Sequence, residues 1–260
     1  MKKTETIIQE DGTKITQDKN MKRLLNINYL KYGNKTFSSG WLDYPEIYCN
    51  TRIYPDFLAL YSEPGLYYKT ENTGVCFNLY DKEFDGKNGL FNAIYYDDLP
   101  RLKFFKNRFQ GVRFFMGPDC SQLDDVHKIE SFYRVFRQRI MLLWSLFEIN
   151  AIAVPQILFP SLKVLPITLD GLQSSSVVAF STKGYINNAI ENKIMKEAVK
   201  ITVETLHLHA IIVYDVCATN EPAMEIFRYA SDNGIKIIIP ANTLKIRNQI
   251  NVGGDEYAQQ

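Results

Sequence analysis

The feature that most constrains the fold is a regular alternation of apolar runs and helix-like segments between Asp97 and Pro240. In chain order this part predicts helix, strand, helix, strand, strand, helix, strand, helix and strand. Near-continuous apolar strands that alternate with helices indicate a parallel sheet covered on both faces. We therefore expect an α/β fold with a mostly parallel sheet. A (β/α) barrel, similar to a TIM barrel, is the preferred arrangement, and an open doubly wound sheet is the alternative.

The longest predicted helix begins at Asp124 or Asp125, either of which would cap it, and continues to Phe147. Its apolar residues are spaced three and four apart, which predicts a single apolar face. The residues of that face are Val126, Ile129, Tyr133, Phe136, Ile140, Leu143 and Phe147. The polar residues predicted to fall mostly off the face, on a solvated surface, are Arg134, Arg137, Gln138 and Arg139.

The length of 260 residues suits one large domain with small appendages. Residues 1–22 are polar and predict a flexible arm, and residues 248–260 predict a flexible tail. Residues 23–247 are expected to form a single α/β domain. Its first part, 23–96, is aromatic-rich and irregular, with short strands near Leu58 and Val75, and 97–247 is the regular part.

Bulk composition argues against several classes of function. The net charge is +1, so no strong field attracts nucleic-acid backbones or anionic lipid. The sequence has no apolar run of membrane-spanning length and begins without an apolar leader segment. Its four cysteines show no CxxC spacing, which favours a cytoplasmic protein with free thiols. No GxGxxG or GxxxxGK[ST] motif occurs, so the common nucleotide-binding motifs are absent.

Polar residues follow the predicted strands at the points where those strands end. Because the carboxyl ends of parallel strands share one face, such residues are expected to converge there. We assign candidate catalytic roles to Asp119, Asp215, Ser121 and Asp170. We assign candidate ligand-binding roles, with phosphate as one ligand, to Gln156, Ser181, Thr182 and Lys183. In the alternative interpretation, these side chains only cap helices or stabilise turns.

Asp119 and Asp215 are the first pair to consider for acid and base roles, or for a divalent metal bound through oxygen. Asp170 and Asp81 are the further carboxylates that such a pair would recruit. No cofactor is assigned, and a divalent metal stays an open alternative. Cys120 is a poor nucleophile candidate because a small buried apolar role explains it.

Several motifs resemble a bacterial and phage family known as DUF4417. The segments that carry the resemblance are Tyr96–Asp98, Gly117–Ser121, Tyr133–Arg137, Val154–Gln156, Leu169–Gly171 and Val178–Gly184, together with Trp144. The chain departs from the family at Cys120, where an aromatic residue is usual. It also lacks the family's Trp after the Val-Pro turn, where Phe159 is the nearest aromatic. The resemblance implies a phage or mobile-element setting and brings no established activity.

Two functions therefore stay open, and the sequence does not decide whether the protein is an enzyme. The first is an enzyme that binds a phosphorylated or nucleic-acid-derived ligand at the strand ends. The alternative is a non-catalytic protein that binds a host or phage macromolecule through its aromatic-rich first part. Nucleic acid and host protein are the candidate partners, a homo-oligomer is open, and no membrane association is expected.

Overall fold

The computed structural model describes the backbone of two short strands near the start of the chain and then residues 40–122, 125–186 and 188–258. Side chains are described for 40–122, 125–186 and 188–251. The two early strands are β1 (Thr4–Ile8) and β2 (Lys14–Asp18), which pair antiparallel. The predicted arm at 1–22 thus contains a hairpin.

Parallel strands form the centre of the structure. One sheet has five strands in the order β10-β3-β4-β5-β6, with every neighbouring pair parallel. Its members are β3 (Phe57–Leu60), β4 (Thr73–Cys76), β5 (Phe114–Met116), β6 (Ile152–Val154) and β10 (Ala241–Asn242). A second parallel sheet comprises β7 (Val177–Ser181), β8 (Ala210–Tyr214) and β9 (Lys236–Ile238).

The mixed α/β class with mostly parallel sheets is confirmed. A single parallel bridge between Gln156 and Ala179 connects the end of β6 to β7. Two backbone hydrogen bonds support it, from Ile157 N to Ala179 O and from Ala179 N to Pro155 O, both 2.8 Å long. Among the described strands these pairings do not show a closed barrel, so the more specific expectation stays a prediction.

Helices connect most of the parallel strands. After β4 come α1 (Asp81–Phe84), α2 (Leu90–Tyr95) and α3 (Leu99–Phe109). The later helices are α4 (Lys128–Ile149), α5 (Leu165–Leu169), α6 (Ala189–Thr205), α7 (Glu221–Ile226), α8 (Arg228–Asp232) and α9 (Thr243–Ala258). Asp98 caps the start of α3, because its carboxylate accepts a hydrogen bond from Arg101 N at 3.2 Å.

Most of the parallel strands are buried on both faces, as is typical of apolar strands in a parallel sheet. All five residues of β8 are buried. Val178 and Phe180 belong to the larger apolar cluster, whereas Val177 and Ala179 belong to a second cluster on the opposite face. Burial of a Val or Phe side chain stabilises the fold by roughly 1.5–3 kcal/mol. Apolar packing on two sides thus holds the strands in position. The loops that follow their carboxyl ends form the site described below.

The prediction of a single apolar face on the long helix is wrong. Ile129 and Tyr133, placed on that face, are exposed, whereas Arg137, Gln138 and Arg139, placed off it, are buried. The middle of α4 is enclosed on several sides, and its buried polar groups bond to one another and to neighbouring segments. The helix begins at Lys128 after His127, so Asp125 does not cap it, and Asp124 lies outside the described residues.

Helix α9 begins directly after β10 and continues through Ala258, so it includes most of the segment predicted as a tail. Its start is anchored because Lys245 is buried and bonds to the loop after β8.

All four cysteines are free, as expected. None of the helices in the described part of the chain has the length and apolarity that a membrane crossing requires.

Candidate active site

A cavity of about 400 Å³ lies at the carboxyl ends of β4, β5, β6 and β7. The loop after each of these strands contributes at least one polar lining residue. In strand order these are Asn78, Asp119, Gln156 and Lys183. The size lies within the range of small-molecule sites in proteins. Three of the four residues were predicted from the sequence as strand-end candidates, and the structure brings those three together.

Asp119 is the carboxylate of this cavity. It is partly exposed, and none of the described residues supplies a hydrogen bond or an ion pair to its side chain. Burial raises the pKa of Asp119 to about 7, and the negative charge of Asp81 raises it further, whereas Lys183 opposes the shift. A carboxyl group with this pKa gains and loses a proton near neutral pH, as a general acid or base must.

The loop that carries Asp119 is fixed on both sides of the carboxylate. Before it, Gly117 N donates to Val154 O at 2.7 Å, and Gln138 Nε2 donates to Pro118 O at 3.1 Å. After it, Ser121 donates to one oxygen of Asp81 through its backbone N–H at 3.0 Å and its hydroxyl at 2.8 Å. Ser121 therefore lines the cavity with its hydroxyl already bonded to a carboxylate.

Buried polar side chains of α4 extend this support. Gln138 Nε2 also donates to Gln156 O at 3.0 Å, so one amide connects the loops after β5 and β6. Arg139 Nη1 donates to Gln138 Oε1 at 2.9 Å and thereby orients that amide. Burial lowers the pKa of Arg139 to about 10. On the other side, Arg134 Nη1 donates to Asp81 Oδ2 at 2.7 Å. Helix α4 thus positions the Asp119 loop from two directions.

Lys183 supplies a positive charge at the rim of the cavity. Its Nζ donates to Asn78 O at 3.1 Å, which connects the loops after β7 and β4. Ser181 lines the same cavity, and its hydroxyl accepts a hydrogen bond from Lys183 N at 3.3 Å. Thr182, between them, is fully buried and points elsewhere, because its hydroxyl donates to Asp215 at 2.8 Å.

Two amides of residues that line the cavity have one end bonded and the other end buried. Gln156 Nε2 donates to Asn78 Oδ1 at 2.7 Å, and the buried Asn78 Nδ2 has the Cys76 thiol beside it but no nitrogen or oxygen partner among the described residues. Gln122 Nε2 donates to Thr168 Oγ1 at 3.3 Å, and the buried Gln122 Oε1 has no partner in the described part of the chain. Sequence reasoning missed Asn78 and Gln122 as site residues. The available signal for Asn78 was its position directly after an apolar strand.

Asp215 lies at the end of β8, but it belongs to a separate buried network. Its two oxygens accept hydrogen bonds from Lys245 Nζ at 2.5 Å and from the Thr182 hydroxyl at 2.8 Å. Its side chain is fully buried, that of Lys245 is 6% exposed, and neither residue lines the cavity. The structure therefore does not bring Asp215 beside Asp119 as a free second carboxylate.

Asp170 lies apart from the cavity as well. It follows helix α5 and not a strand, and its carboxylate accepts hydrogen bonds from Trp41 N at 2.9 Å and Leu42 N at 3.0 Å. These contacts give the Asp170 carboxylate a structural role, because it accepts hydrogen bonds from two backbone N–H groups. Within the described residues, no group of three or more His, Cys, Asp or Glu side chains is placed to hold a metal ion.

Tyr185 and Cys120 are two further titratable groups near Asp119. Tyr185 lines the cavity, and burial raises its pKa to about 12, with the Asp119 charge as a lesser cause. Its hydroxyl donates to Phe159 O at 3.4 Å. Cys120 is buried in the main apolar cluster, and burial raises the pKa of its thiol well above the usual value. A thiol that stays protonated is a poor nucleophile.

Comparison with protein-family models, curated proteins and solved structures found no match to this chain.

Proposed function

We propose that the chain is an enzyme whose active site is the cavity at the strand ends, with Asp119 as its general acid or base. The observation that carries the proposal is a carboxylate without a hydrogen-bond or ion-pair partner among the described residues, in a cavity, with a pKa of about 7. A carboxylate that is largely removed from water and only stabilises the fold normally has a partner, because an isolated charge there is costly. Perturbed pKa values of this kind cluster at functional sites.

The two charged groups of the cavity suit complementary roles. Asp119 removes a proton from a ligand when it is ionised and donates one when it is protonated. The Lys183 ammonium group stabilises negative charge that develops on the ligand, and its contact with Asn78 O holds it at the rim. A small phosphorylated or nucleic-acid-derived molecule is the ligand class proposed, and a phage or mobile-element setting accompanies the suggested family resemblance.

The alternative function, non-catalytic binding of a macromolecule, has less support. It depends on the aromatic residues of the first part of the chain as a contact surface. Within residues 40–96 the exposed aromatic side chains are Trp41, Tyr48, Tyr68, Tyr80 and Tyr96. The buried ones build the core, and they are Tyr44, Phe57, Tyr67, Phe77, Phe84 and Phe91. Exposed rings alone name no partner, whereas the cavity holds a carboxylate with a perturbed pKa, so we favour the enzyme.

The test of the enzyme proposal is a direct titration of the Asp119 carboxyl. Protein labelled with ¹³C at the aspartate side-chain carboxyl would be followed by NMR between pH 4 and 9. We expect one resonance to titrate near pH 7 and to be missing from the Asp119→Asn variant. If the resonance lost in Asp119→Asn titrates in the ordinary carboxylate range, the proposal is wrong.

A turnover assay provides the second readout. Purified protein would be incubated with nucleosides, nucleoside monophosphates and sugar phosphates, and each mixture would be analysed by mass spectrometry for a new product. We expect a product with the wild-type chain and a loss of at least about a hundredfold in rate for Asp119→Asn, because general acid–base catalysis contributes about 10²–10⁴. Unchanged turnover in that variant would contradict the role of Asp119.

A further inference from the structure

Asp215 and Lys245 form an ion pair that is buried beyond the end of β8, outside the cavity. A buried ion pair contributes little net stability compared with an apolar pair of the same size, because both charges lose their hydration. Its hydrogen bonds are directional, however, and charge-assisted bonds are short and strong. The groups that bond to such a pair are therefore held in one position.

Thr182 connects the ion pair to the cavity. Its hydroxyl donates to Asp215 Oδ1 at 2.8 Å, and its side chain is fully buried. The residues on either side of it, Ser181 and Lys183, both line the cavity. Because successive residues at a strand end project to opposite sides, a bond that fixes the Thr182 side chain also fixes the direction in which Ser181 and Lys183 leave the strand.

The backbone of Thr182 carries the rest of this loop. Thr182 N donates to Tyr214 O at 3.1 Å, and Thr182 O accepts a hydrogen bond from Tyr185 N at 3.0 Å. Tyr185 is a further lining residue of the cavity. From this loop Lys183 Nζ reaches Asn78 O at 3.1 Å, in the loop after β4. The position of the cavity's ammonium group therefore depends on how Thr182 is held.

The start of helix α9 holds Asp215 from the other side. Lys245 Nζ donates to Asp215 Oδ2 at 2.5 Å and to Cys217 O at 2.8 Å. Asn242 Nδ2 donates to Asp215 O at 2.7 Å, while Asn242 Oδ1 accepts a hydrogen bond from Lys245 N at 2.9 Å. Both the carboxylate and the backbone of Asp215 are thus tied to the first turn of α9. Hydrogen bonds run without a gap from that turn to Thr182.

We propose that Asp215 and Lys245 are positioning residues of the cavity, which act through the Thr182 hydroxyl to hold Lys183 against Asn78 O at the rim. This inference rests on the proposed function, because it concerns the positive charge of that same site. It gives helix α9 a role in the site, although α9 contributes no lining residue within the described part of the chain. A network that only stabilised the fold would lower stability when broken and leave Lys183 in place.

Competitive acylation of lysine amines with acetic anhydride, followed by mass spectrometry, tests the position of Lys183. Lys193, which is exposed on helix α6, is the internal reference. Thr182→Val keeps the shape of the side chain and removes its donor. We expect Lys183 to react at least about twofold faster relative to Lys193 in this variant, the factor that corresponds to the lower end of the net free energy of one hydrogen bond. Thr182→Ser keeps the hydroxyl and should react as the wild type does.

Thr202→Val is the matched control. Thr202 is a fully buried threonine of α6 whose hydroxyl donates to Ala198 O at 2.7 Å, so the same change there should leave the reactivity of Lys183 unaltered. Thr182→Cys, whose thiol is a weak donor, replaces Thr182→Val if that variant does not fold, and it should show a smaller increase. An unchanged reactivity of Lys183, or an equal increase in Thr182→Ser, would overturn the proposal.

The NMR titration of Asp119 provides a readout inside the site. Lys183 lowers the pKa of Asp119, whereas burial and the charge of Asp81 raise it. Release of Lys183 in Thr182→Val should therefore raise that pKa further, in the same direction as Lys183→Met, and a lower pKa would contradict the inference.

The two proposals fail in different ways. If Asp119 titrates near pH 7 but the reactivity of Lys183 does not respond to Thr182→Val, the positioning inference is wrong and the enzyme proposal stands. If the reactivity of Lys183 responds to Thr182→Val and not to Thr202→Val, but Asp119 has an ordinary pKa, the positioning inference stands and the role of Asp119 is wrong.

Discussion

Substitution of Lys245 tests how much the buried network around Asp215 contributes to stability. In the native structure Lys245 Nζ donates to Asp215 Oδ2 at 2.5 Å and to Cys217 O at 2.8 Å. The Asp215 side chain is fully buried. Lys245→Met keeps the apolar stem but leaves the carboxylate without its counter-charge. Loss of one partner from a buried ion pair typically costs about 3–5 kcal/mol.

We expect Lys245→Met to lower the free energy of unfolding by about 3 kcal/mol, at the lower end of that range. Two hydrogen bonds to Asp215 stay in place in the variant, from the Thr182 hydroxyl at 2.8 Å and from Cys217 N at 3.3 Å. Both lessen the cost of an uncompensated charge. Addition of Asp215→Asn in the Lys245→Met background removes that charge, so we expect it to restore at least about 1 kcal/mol through a favourable coupling.

Urea denaturation followed by circular dichroism provides the free energy of unfolding. The slope of that free energy against urea concentration must be the same in all variants for the values to be compared. Lys193→Met is the control, because it makes the same change at an exposed position of helix α6 and should alter stability by less than about 0.5 kcal/mol. A loss below about 1 kcal/mol in Lys245→Met, or no recovery in the double variant, would refute the assignment of a buried ion pair with this energy.

The remaining predictions concern the Asp119 loop. Because the folded pKa of Asp119 is raised to about 7 from 3.8, the folded state binds a proton more tightly than the unfolded state, so stability should fall as pH rises through that interval. Denaturation at several pH values should show this slope, and Asp119→Asn should reduce it. Asp81→Asn removes a negative charge that raises the pKa of Asp119, so the NMR titration of Asp119 should shift to lower pH; a shift upward would contradict the electrostatics. Gly117→Ala would place a methyl group 2.8 Å from Gln156 N and 3.2 Å from the Gln138 amide. It should therefore lower the free energy of unfolding in urea by about 1–3 kcal/mol. Gly65→Ala is the control, because no atom lies within 4 Å of the added methyl group, and it should show no loss from overpacking.

Sequence patterns predict the strands well because most of them are apolar and buried on both faces. The run from Ala210 to Tyr214 is an example, since no alternation of polar and apolar residues interrupts it. The prediction for helix α4 failed for the opposite reason. A periodic apolar face assumes that the opposite side of the helix faces solvent, but Arg139 is fully buried and donates to Thr168 O, 29 residues away in the sequence. A partner so distant in sequence does not appear in a local pattern.

The site could be predicted in part for a geometric reason. Asp119, Gln156 and Lys183 follow parallel strands, and parallel strands end at a common edge. Proximity to a strand end did not reveal which carboxylate is free, because the partner of Asp215 is Lys245, which lies in a helix after the last strand. Asp170 was assigned to the site as a further carboxylate, whereas its side chain accepts hydrogen bonds from the backbone of residues 41 and 42.

The pairing of β10 with β3 has a consequence for synthesis of the chain. Ala241 pairs with Phe57 and Asn242 with Leu58, so one edge of β3 obtains these neighbours only after residue 242 has been made. Pairings this distant in sequence slow folding, and an uncovered apolar strand edge promotes aggregation in the meantime. A ribosome-bound chain that ends before residue 241 would therefore carry β3 without its β10 partner.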